Sequence, residues 1–345
     1  MKTILITGSN GFIGSHLTEF CLNEGHKIIA IDRPDSSFDN LSQFTNGKIH
    51  FSEEEKVDIF NEKIRFPCNN ENLLLLECDI KNSKLLEKII VNIKPDYIFH
   101  LAAQPNIIPS WDDPVTTIET NVIGTIYVFE IIKKHKMSSR VILACTSTEF
   151  GTTAELNRPL KENDPLLAVH PYGISKIAAE LLSRQYYINF GIESINLRFF
   201  NQTGMRRIGD APSDFIRKIV QIELGLIEPI LGVGNLSAFR DFTDIRDSVK
   251  AIWLAALNGK PGETYHICSS QKIQIKEILK TALSYTSKKI EVKENISSKL
   301  RKFDEDVIVG DNSKIKKELG WDITIPIEKT LRDMFDYWMA YYKKE

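Results

Sequence analysis

Three glycines at the end of an apolar run constrain the fold of this chain more than any other feature. Gly8, Gly11 and Gly14 follow the apolar residues 2–7 and open an amphipathic stretch at 14–23. This spacing allows a tight turn, lets the backbone approach a pyrophosphate, and places the phosphates at the N-terminus of a helix. A glycine pattern by itself is weak evidence, but here a strand precedes it, a helix follows it, and Asp32 ends the next apolar run. The loop is therefore predicted to bind a dinucleotide through Gly8, Asn10, Gly11, Phe12, Ile13 and Gly14.

The first half of the chain alternates short apolar runs with amphipathic stretches. The runs are nearly continuous, as expected for strands buried on both faces, and the alternation is typical of a parallel sheet covered by helices. The sequence therefore predicts the α/β class with a Rossmann-type doubly wound parallel sheet. The predicted strands are 2–7, 27–32, 73–79, 97–101, 141–146 and 194–199, and the predicted helices include 14–23, 83–92, 114–135 and 172–190. The connection 36–72 is longer than usual, and no function is predicted for it.

The composition becomes more mixed after Phe200, where Gly and Pro recur. This change predicts a smaller mixed α/β region that binds the substrate. We expect the dinucleotide-binding domain to cover 1–200 plus roughly 241–260, and the substrate-binding region to cover 201–240 and 261–345.

Charge and cysteine content narrow the class of protein. The 345 residues carry a net charge of −2, so no basic field indicates a nucleic acid or an anionic membrane as partner. The first apolar run is too short for a signal-peptide core or a membrane span. The five cysteines are scattered, odd in number and without metal-ligand spacing. These features predict a cytoplasmic protein with reduced thiols and no metal site.

Asp32 bears on the choice between the two nicotinamide dinucleotides. A carboxylate at this strand end suits the ribose hydroxyls and repels a 2′-phosphate, so NAD is favoured over NADP. Arg33 follows directly and is able to accommodate that phosphate, so NADP stays open as the less favoured cofactor. Asp79 and Ile80, after the third strand, are expected to flank the adenine, although Asp79 is equally suited to be a helix N-cap.

A candidate catalytic pair is formed by Tyr172 and Lys176, which are four residues apart on one face of a predicted helix. A neighbouring ammonium and a positive nicotinamide ring lower the pKa of a phenol from about 10, so Tyr172 can accept a proton from a substrate hydroxyl. Such a pair is more often a solvated helix face. The pair follows a strand that ends in Thr146, and this position favours a catalytic role, because open α/β sheets bind ligands at the carboxyl ends of their strands. Thr146 is expected to hydrogen-bond the reacting oxygen.

Together these motifs resemble the extended short-chain dehydrogenase/reductase family over nearly the whole chain. The glycine loop, Thr146 and the Tyr172/Lys176 pair carry the resemblance, with the segments His100-Leu101-Ala102-Ala103 and Asn121-Val122-Ile123-Gly124-Thr125. The resemblance implies that the cofactor site also includes Leu101, Ala102, Ala103, Asn121, Tyr172 and Lys176.

The second half is similar to a narrower group, the GDP-mannose 4,6-dehydratases and GDP-4-keto-6-deoxymannose reductases. The matching stretches are 198–204, 206–207, 234–236, 240–244 and 309–314. The resemblance implies a nucleotide-sugar substrate, a GDP-hexose in the first place, which contacts Thr148, Asn201, Arg207 and Arg240. It also implies a homodimer or homotetramer, because such enzymes commonly pair the helices that flank the sheet.

Three reactions stay open for such a protein. A 4,6-dehydratase oxidises C4, removes the C5 proton and expels the C6 hydroxyl, whereas a 4-epimerase inverts C4 and a 4-keto reductase consumes an external reduced cofactor. Thr rather than Ser at 146, Asp32 and the Arg206-Arg207 loop favour the dehydratase. A non-catalytic nucleotide-sensing protein is a remote alternative, disfavoured because Tyr172 and Lys176 are both present.

One position opposes the dehydratase. The resemblance implies an acidic residue two positions after the catalytic Thr, where this chain has Thr148. Glu149 follows one residue later, and alternation along a strand aims it at the other face. Only if the strand has already ended is Glu149 able to turn inward and serve as the base at C5.

Overall fold

The computed structural model describes residues 1–34, 36–48, 52–294, 296 and 306–343. The chain divides into unit 1, which comprises Met1–Glu149, Ala168–Arg198 and Ala251–Tyr265, and unit 2, which comprises Phe150–Leu167, Phe199–Lys250 and His266–Glu345.

The strands in chain order are β1 (Thr3–Thr7), β2 (Lys27–Asp32), β3 (Val57–Ile59), β4 (Glu62–Phe66), β5 (Leu73–Glu77), β6 (Tyr97–His100), β7 (Arg140–Thr146), β8 (Ser194–Phe199), β9 (Asn201–Thr203), β10 (Ile230–Gly232), β11 (Phe239–Arg240), β12 (Phe242–Asp244), β13 (Thr264–Ile267), β14 (Ile273–Gln274), β15 (Glu291–Lys293) and β16 (Val307–Ile308). The helices are α1 (Phe12–Asn23), α2 (Ser83–Ile93), α3 (Ile107–Asp112), α4 (Pro114–Ile118), α5 (Gly124–Lys134), α6 (Pro171–Phe190), α7 (Ala211–Glu223), α8 (Ile245–Asn258), α9 (Ile275–Leu283), α10 (Ser313–Leu319) and α11 (Ile327–Tyr342).

Unit 1 is built on a sheet of nine strands in the order β13-β8-β7-β6-β1-β2-β5-β4-β3. The strands β7, β6, β1, β2 and β5 pair in parallel, so their carboxyl ends lie along one edge. Residues of β1, β2, β6 and β7 are buried together with residues of α2 and α5, which explains the nearly continuous apolar runs of these strands. The predicted doubly wound parallel sheet is confirmed.

The long connection 36–72 holds structure that its polar composition concealed. Residues Asp39–Thr45 form a 3₁₀ helix, and β3 and β4 form an antiparallel hairpin that pairs with β5 and extends the sheet. A salt bridge joins Lys56 to Glu77 of β5 at 2.7 Å, and Phe66 packs against Phe38 with ring centroids 4.8 Å apart. These contacts join residues that are distant in sequence, and the segment therefore gave no clear periodicity.

The predicted helix 114–135 is interrupted. A π-helical turn at Glu119–Ile123 separates α4 from α5, and such turns often occur at functional sites. By length and composition alone, the run Pro114–Lys134 is long and apolar enough to cross a membrane, which is weak evidence. Its residues Val128, Phe129 and Ile132 are buried in the core of unit 1, as expected of a helix that covers a sheet.

Unit 2 is built around helices α7, α9 and α11. Their buried apolar residues pack with residues of β10 and β12, and they include Phe215, Ile219, Ile278, Leu331, Met334 and Trp338. Two short sheets carry the segments that resemble the narrower group: β11 lies between β14 and β16, and β12 pairs with β9.

Candidate dinucleotide and catalytic site

The glycine loop packs so closely against the backbone around it that two of its positions leave no room for a side chain. A Cβ atom on Gly14 would lie 2.2 Å from the Gly8 carbonyl oxygen, and one on Gly8 would lie 2.8 Å from the Ala102 Cα. Gly8 also has a φ of +70°, which favours glycine. Gly11 is the N-cap of α1 and makes no side-chain cap, so backbone amides at this helix start are available to an anion. Phe12 and Ile13 are half-buried in the first turn.

Asp32 ends β2 with its carboxylate held by backbone amides. Its oxygens accept the N–H of Asn10 at 2.8 Å and the N–H of Arg33 at 2.9 Å. Burial raises the pKa of Asp32, and these two hydrogen bonds oppose that shift. The side chain of Asn10 donates to Asp39 at 2.8 Å, which attaches the 3₁₀ helix to the glycine loop. Arg33 is exposed.

A directed hydrogen-bond chain stiffens the strand ends beside this loop. The Ala102 N–H donates to Thr7 Oγ1 at 3.1 Å, Thr7 Oγ1 lies 2.9 Å from His100 Nδ1, and His100 Nε2 lies 3.1 Å from Thr125 Oγ1. Because Thr125 donates its own proton to the Asn121 carbonyl at 2.7 Å, His100 donates through Nε2. Burial lowers the pKa of His100 to about 3, so the imidazole is neutral and Nδ1 accepts from the Thr7 hydroxyl.

Hydrogen bonds and close packing hold the residues that are expected to flank the adenine and the nicotinamide. Asp79 accepts the N–H of Lys81. The N-cap of α2 is Asn82, so the alternative prediction that Asp79 is an N-cap is wrong. Ile80 is buried against Gly124, where a Cβ would approach its Cδ1 to 2.7 Å. Leu101, Ala102 and Ala103 follow β6 and are half-buried. The Asn121 side chain donates to Ser175 Oγ at 2.9 Å, which ties the π-helical turn to α6.

Tyr172 and Lys176 lie at the start of α6 and are buried, with exposed fractions of 8% and 4%. Lys176 Nζ donates to the Ala144 carbonyl of β7 at 2.8 Å, and burial lowers the pKa of this lysine. Ser175 donates to the Tyr172 carbonyl at 2.6 Å and thereby links the tyrosine to Asn121. The pair is therefore not a solvated helix face.

His170 belongs to this site and was missed in the sequence. It caps α6 by accepting the Gly173 N–H at Nδ1, 2.9 Å away. Its ring lies nearly parallel to that of Tyr172, with centroids 6.0 Å apart, and faces the edge of Trp111. The signal was its position directly before Pro171, at the start of the helix that carries Tyr172.

Strand β7 ends at Thr146, and Ser147–Glu149 form a 3₁₀ turn. Thr146 Oγ1 accepts the Thr148 N–H at 3.3 Å and lies 3.2 Å from Thr148 Oγ1. Glu149 is fully buried, and its Oε1 accepts the Thr146 N–H at 2.9 Å. Thr146 and Thr148 are thus adjacent, whereas the Glu149 carboxyl is bonded to the backbone of Thr146.

The substrate residues expected from the second half lie in unit 2. Arg240 is buried on β11, and Asn201 starts β9, where its side chain donates to the Asp241 carbonyl at 3.1 Å. The Asp241 carboxylate accepts hydrogen bonds from Ser269, Ser270 and Gly310, and burial raises its pKa to about 6. Arg207 lies after β9 with Nε 3.4 Å from Asp210 Oδ2.

Comparison with known proteins agrees with these features. Residues 5–334 match the model of the GDP-mannose 4,6 dehydratase family. The chain is 29% identical to GDP-mannose 4,6 dehydratase 1 of Arabidopsis thaliana over 352 residues, 100% of this chain and 91% of that protein. It is 26% identical to GDP-6-deoxy-D-mannose reductase of Pseudomonas aeruginosa, over 73% of this chain and 83% of that protein.

A solved structure agrees with the fold. The crystal structure of dTDP-glucose 4,6-dehydratase from Bacillus anthracis in complex with NAD matches 100% of this chain and 98% of its own, with a TM-score of 0.78 and 24% identity.

Proposed function

Since the chain belongs to the GDP-mannose 4,6-dehydratase family, as its motifs predicted, we propose that it is an NAD-dependent enzyme that dehydrates a GDP-hexose through a 4-keto intermediate. The observation that carries the proposal is the buried Tyr172/Lys176 pair of unit 1, together with the Thr146 hydroxyl at the end of β7. Bound nicotinamide supplies the acceptor and donor of hydride that oxidation at C4 and reduction at C6 require.

The residues of unit 1 fit a dinucleotide. Side chains at Gly8 and Gly14 would collide with backbone atoms, so glycine is required there for the tight turn that opens α1. The start of that helix is suited to bind a pyrophosphate through backbone amides. The Asp32 carboxylate, oriented by two amides, suits the adenosine ribose and disfavours a 2′-phosphate. We therefore propose NAD as the cofactor, with NADP bound more weakly.

In the proposed reaction Tyr172 takes the proton of the C4 hydroxyl. Lys176 places a positive charge near the phenol and favours its ionised form. The Thr146 hydroxyl accepts the Thr148 N–H and lies 3.2 Å from Thr148 Oγ1. With substrate bound, it is proposed to donate its proton to the C4 oxygen. Asn201, Arg207 and Arg240 of unit 2 are proposed to bind the nucleotide end, Arg240 through phosphate or ribose.

One specific observation favours two other reactions, 4-epimerisation and reduction of a 4-keto sugar. Dehydration needs a base at C5, and the position two residues after Thr146 is Thr148, whose hydroxyl lies 3.2 Å from Thr146 Oγ1. A hydroxyl is a poor base, and neither 4-epimerisation nor reduction of a 4-keto sugar removes the C5 proton. These two reactions are therefore the alternatives to dehydration.

We propose a homodimer with α6 at its interface and a cytoplasmic location. Ile174, Leu181 and Ile188 recur every seven residues on α6 and are each more than half exposed, which forms an apolar stripe suited to a second copy of the same helix. The five cysteines are free thiols, as in a reducing compartment.

The reaction is tested by incubation with GDP-mannose and NAD in deuterated water, followed by NMR of the product. A 4-keto-6-deoxy sugar with deuterium at C5 supports the dehydratase. A C4-inverted sugar without deuterium at C5 means an epimerase, and turnover only with an added 4-keto sugar and NADH means a reductase. The absence of turnover on GDP-, UDP- and dTDP-hexoses with NAD, and on a 4-keto sugar with NADH, refutes the enzyme assignment.

A further inference from the structure

A buried carboxyl beneath the catalytic strand end has no part in the proposed proton transfers. Glu149 is fully buried, and its Oε1 accepts the backbone N–H of Thr146 at 2.9 Å. The hydroxyl of Thr146 is the donor proposed for the C4 oxygen, so this hydrogen bond bears on the geometry of the reaction.

The rest of the carboxyl faces an ion pair from two other elements. Arg198 of β8 binds Glu180 of α6 through two hydrogen bonds, Nε to Oε2 at 2.9 Å and Nη2 to Oε1 at 2.5 Å. Arg198 Nε also lies 3.3 Å from Glu149 Oε2. A carboxyl oxygen of Glu149 and one of Glu180 lie within 4.8 Å of each other.

Two ionised carboxylates this close together in a buried site repel each other, which favours a proton on one of them. The bidentate contact with Arg198 lowers the pKa of Glu180, whereas burial and the charge of Glu180 raise the pKa of Glu149. These directions favour Glu149 as the group that holds the proton. Two further titratable groups interact with this cluster, Cys145 and Lys176. Burial raises the pKa of Cys145 and keeps its thiol neutral.

Resting on the proposed function, we propose that Glu149 is a positioning residue that acts as a neutral carboxylic acid. It donates its proton to Glu180, accepts the Thr146 amide, and so fixes the Thr146 hydroxyl without adding a negative charge beside Lys176. This role differs from that of a C5 base, which would need an ionised carboxylate that reaches the sugar.

A metal ion does not suit the same residues. Ligand atoms of Cys145, Glu149 and Glu180 lie within 4.8 Å of one another. The guanidinium of Arg198 already provides the positive charge at the two carboxyls, and a second cation there would be repelled.

The test compares Glu149→Gln with Glu149→Leu. Gln is neutral and of the same length, and its amide is able to accept from Thr146 and donate to Glu180, whereas Leu does neither. We expect Glu149→Gln to keep kcat within about threefold of wild type, with an unchanged pH profile of kcat. Glu149→Leu should lower kcat by about 100-fold with little change in KM, because a misplacement of a reacting group by about 1 Å has an effect of that size. Glu71→Leu, at an exposed turn of unit 1, is the control. A Gln variant as inactive as the Leu variant, or a fully active Leu variant, overturns the proposal.

Two readouts do not depend on turnover, so they separate this proposal from the proposed function. An infrared difference spectrum of wild type minus Glu149→Gln at neutral pH should contain the carbonyl stretch of a protonated carboxylic acid. Hydrogen exchange measured by mass spectrometry should be faster for the peptide that contains Thr146 in Glu149→Leu and unchanged in Glu149→Gln. A carboxylate band in place of the acid band refutes the neutral form even if Glu149→Leu does not fold.

Discussion

Replacement of Gly14 by alanine tests whether the close packing of the loop against the start of α1 requires glycine. In the structure a Cβ at Gly14 would lie 2.2 Å from the Gly8 carbonyl oxygen and 2.8 Å from the Ser9 Cα, and both are backbone atoms that cannot rotate away. To restore an ordinary contact of 3.4 Å, α1 and the loop must separate by about 1 Å. Overpacking of this kind costs about 3 kcal/mol, and the better helix propensity of alanine returns about 1 kcal/mol. We therefore expect the free energy of unfolding to fall by about 2 kcal/mol.

Gly11→Ala is the matched control in the same loop. Its φ is −65°, and its Cβ would lie 3.1 Å from the Gly8 oxygen, so alanine fits with a small adjustment. At this N-cap we expect a loss of no more than about 1 kcal/mol, because alanine is a poorer N-cap than glycine. Since Gly11 lies at the helix start that is proposed to bind the pyrophosphate, Gly11→Ala should weaken NAD binding without the larger loss of stability.

The assay is urea unfolding of the cofactor-free protein, followed by circular dichroism, with NAD affinity measured by calorimetry. Gly14→Ala should be less stable than both wild type and Gly11→Ala, and both variants should bind NAD more weakly. The reasoning is refuted if Gly14→Ala is as stable as wild type or gains the stability that helix propensity alone predicts.

Three further predictions concern single side chains. Tyr172→Phe should lower kcat by about 10³-fold and leave NAD affinity unchanged, whereas Tyr187→Phe on the same helix should have no effect; equal turnover of the two variants removes the phenol from the mechanism. Asp32→Ala should weaken NAD binding by about 10-fold, since it removes a charged acceptor, and should strengthen NADP binding; calorimetry that finds an unchanged ratio of the two affinities contradicts the assigned role of Asp32. Because the pKa of Glu149 is raised, the folded chain holds a proton that the unfolded chain has lost above about pH 4.5, so this group lowers the free energy of unfolding as pH rises toward its folded pKa. In urea unfolding Glu149→Gln should show a shallower decline over that range, and a slope identical to that of wild type would argue against the raised pKa.

The parts of the fold and site that were predictable are those that local sequence determines. The glycine loop is specified within eight residues, because its turn, its close contacts and its helix start depend on Gly8, Gly11 and Gly14 themselves. The parallel sheet followed from the apolar runs of its strands. The hairpin β3/β4 was not predicted, since its stability comes from pairing with β5 and from contacts such as Lys56 with Glu77. No local pattern encodes those partners.

One contact of Glu149 could be predicted from local sequence, whereas its other contacts could not, and this difference bears on the proposed reaction. The stretch Thr146-Ser147-Thr148-Glu149 matches the capping-box pattern, in which the third residue of a helical turn bonds back to the amide of the cap. That pattern was readable in the sequence and predicts the observed bond from Thr146 N–H to Glu149, which engages one carboxyl oxygen with the backbone. Arg198 and Glu180, in contrast, come from β8 and α6, and only the folded chain brings them to Glu149. Apart from Glu149, whose carboxyl caps the turn, the side chains of this turn are the hydroxyls of Thr146, Ser147 and Thr148. If this chain dehydrates its substrate, the base at C5 must come from outside Thr146–Glu149.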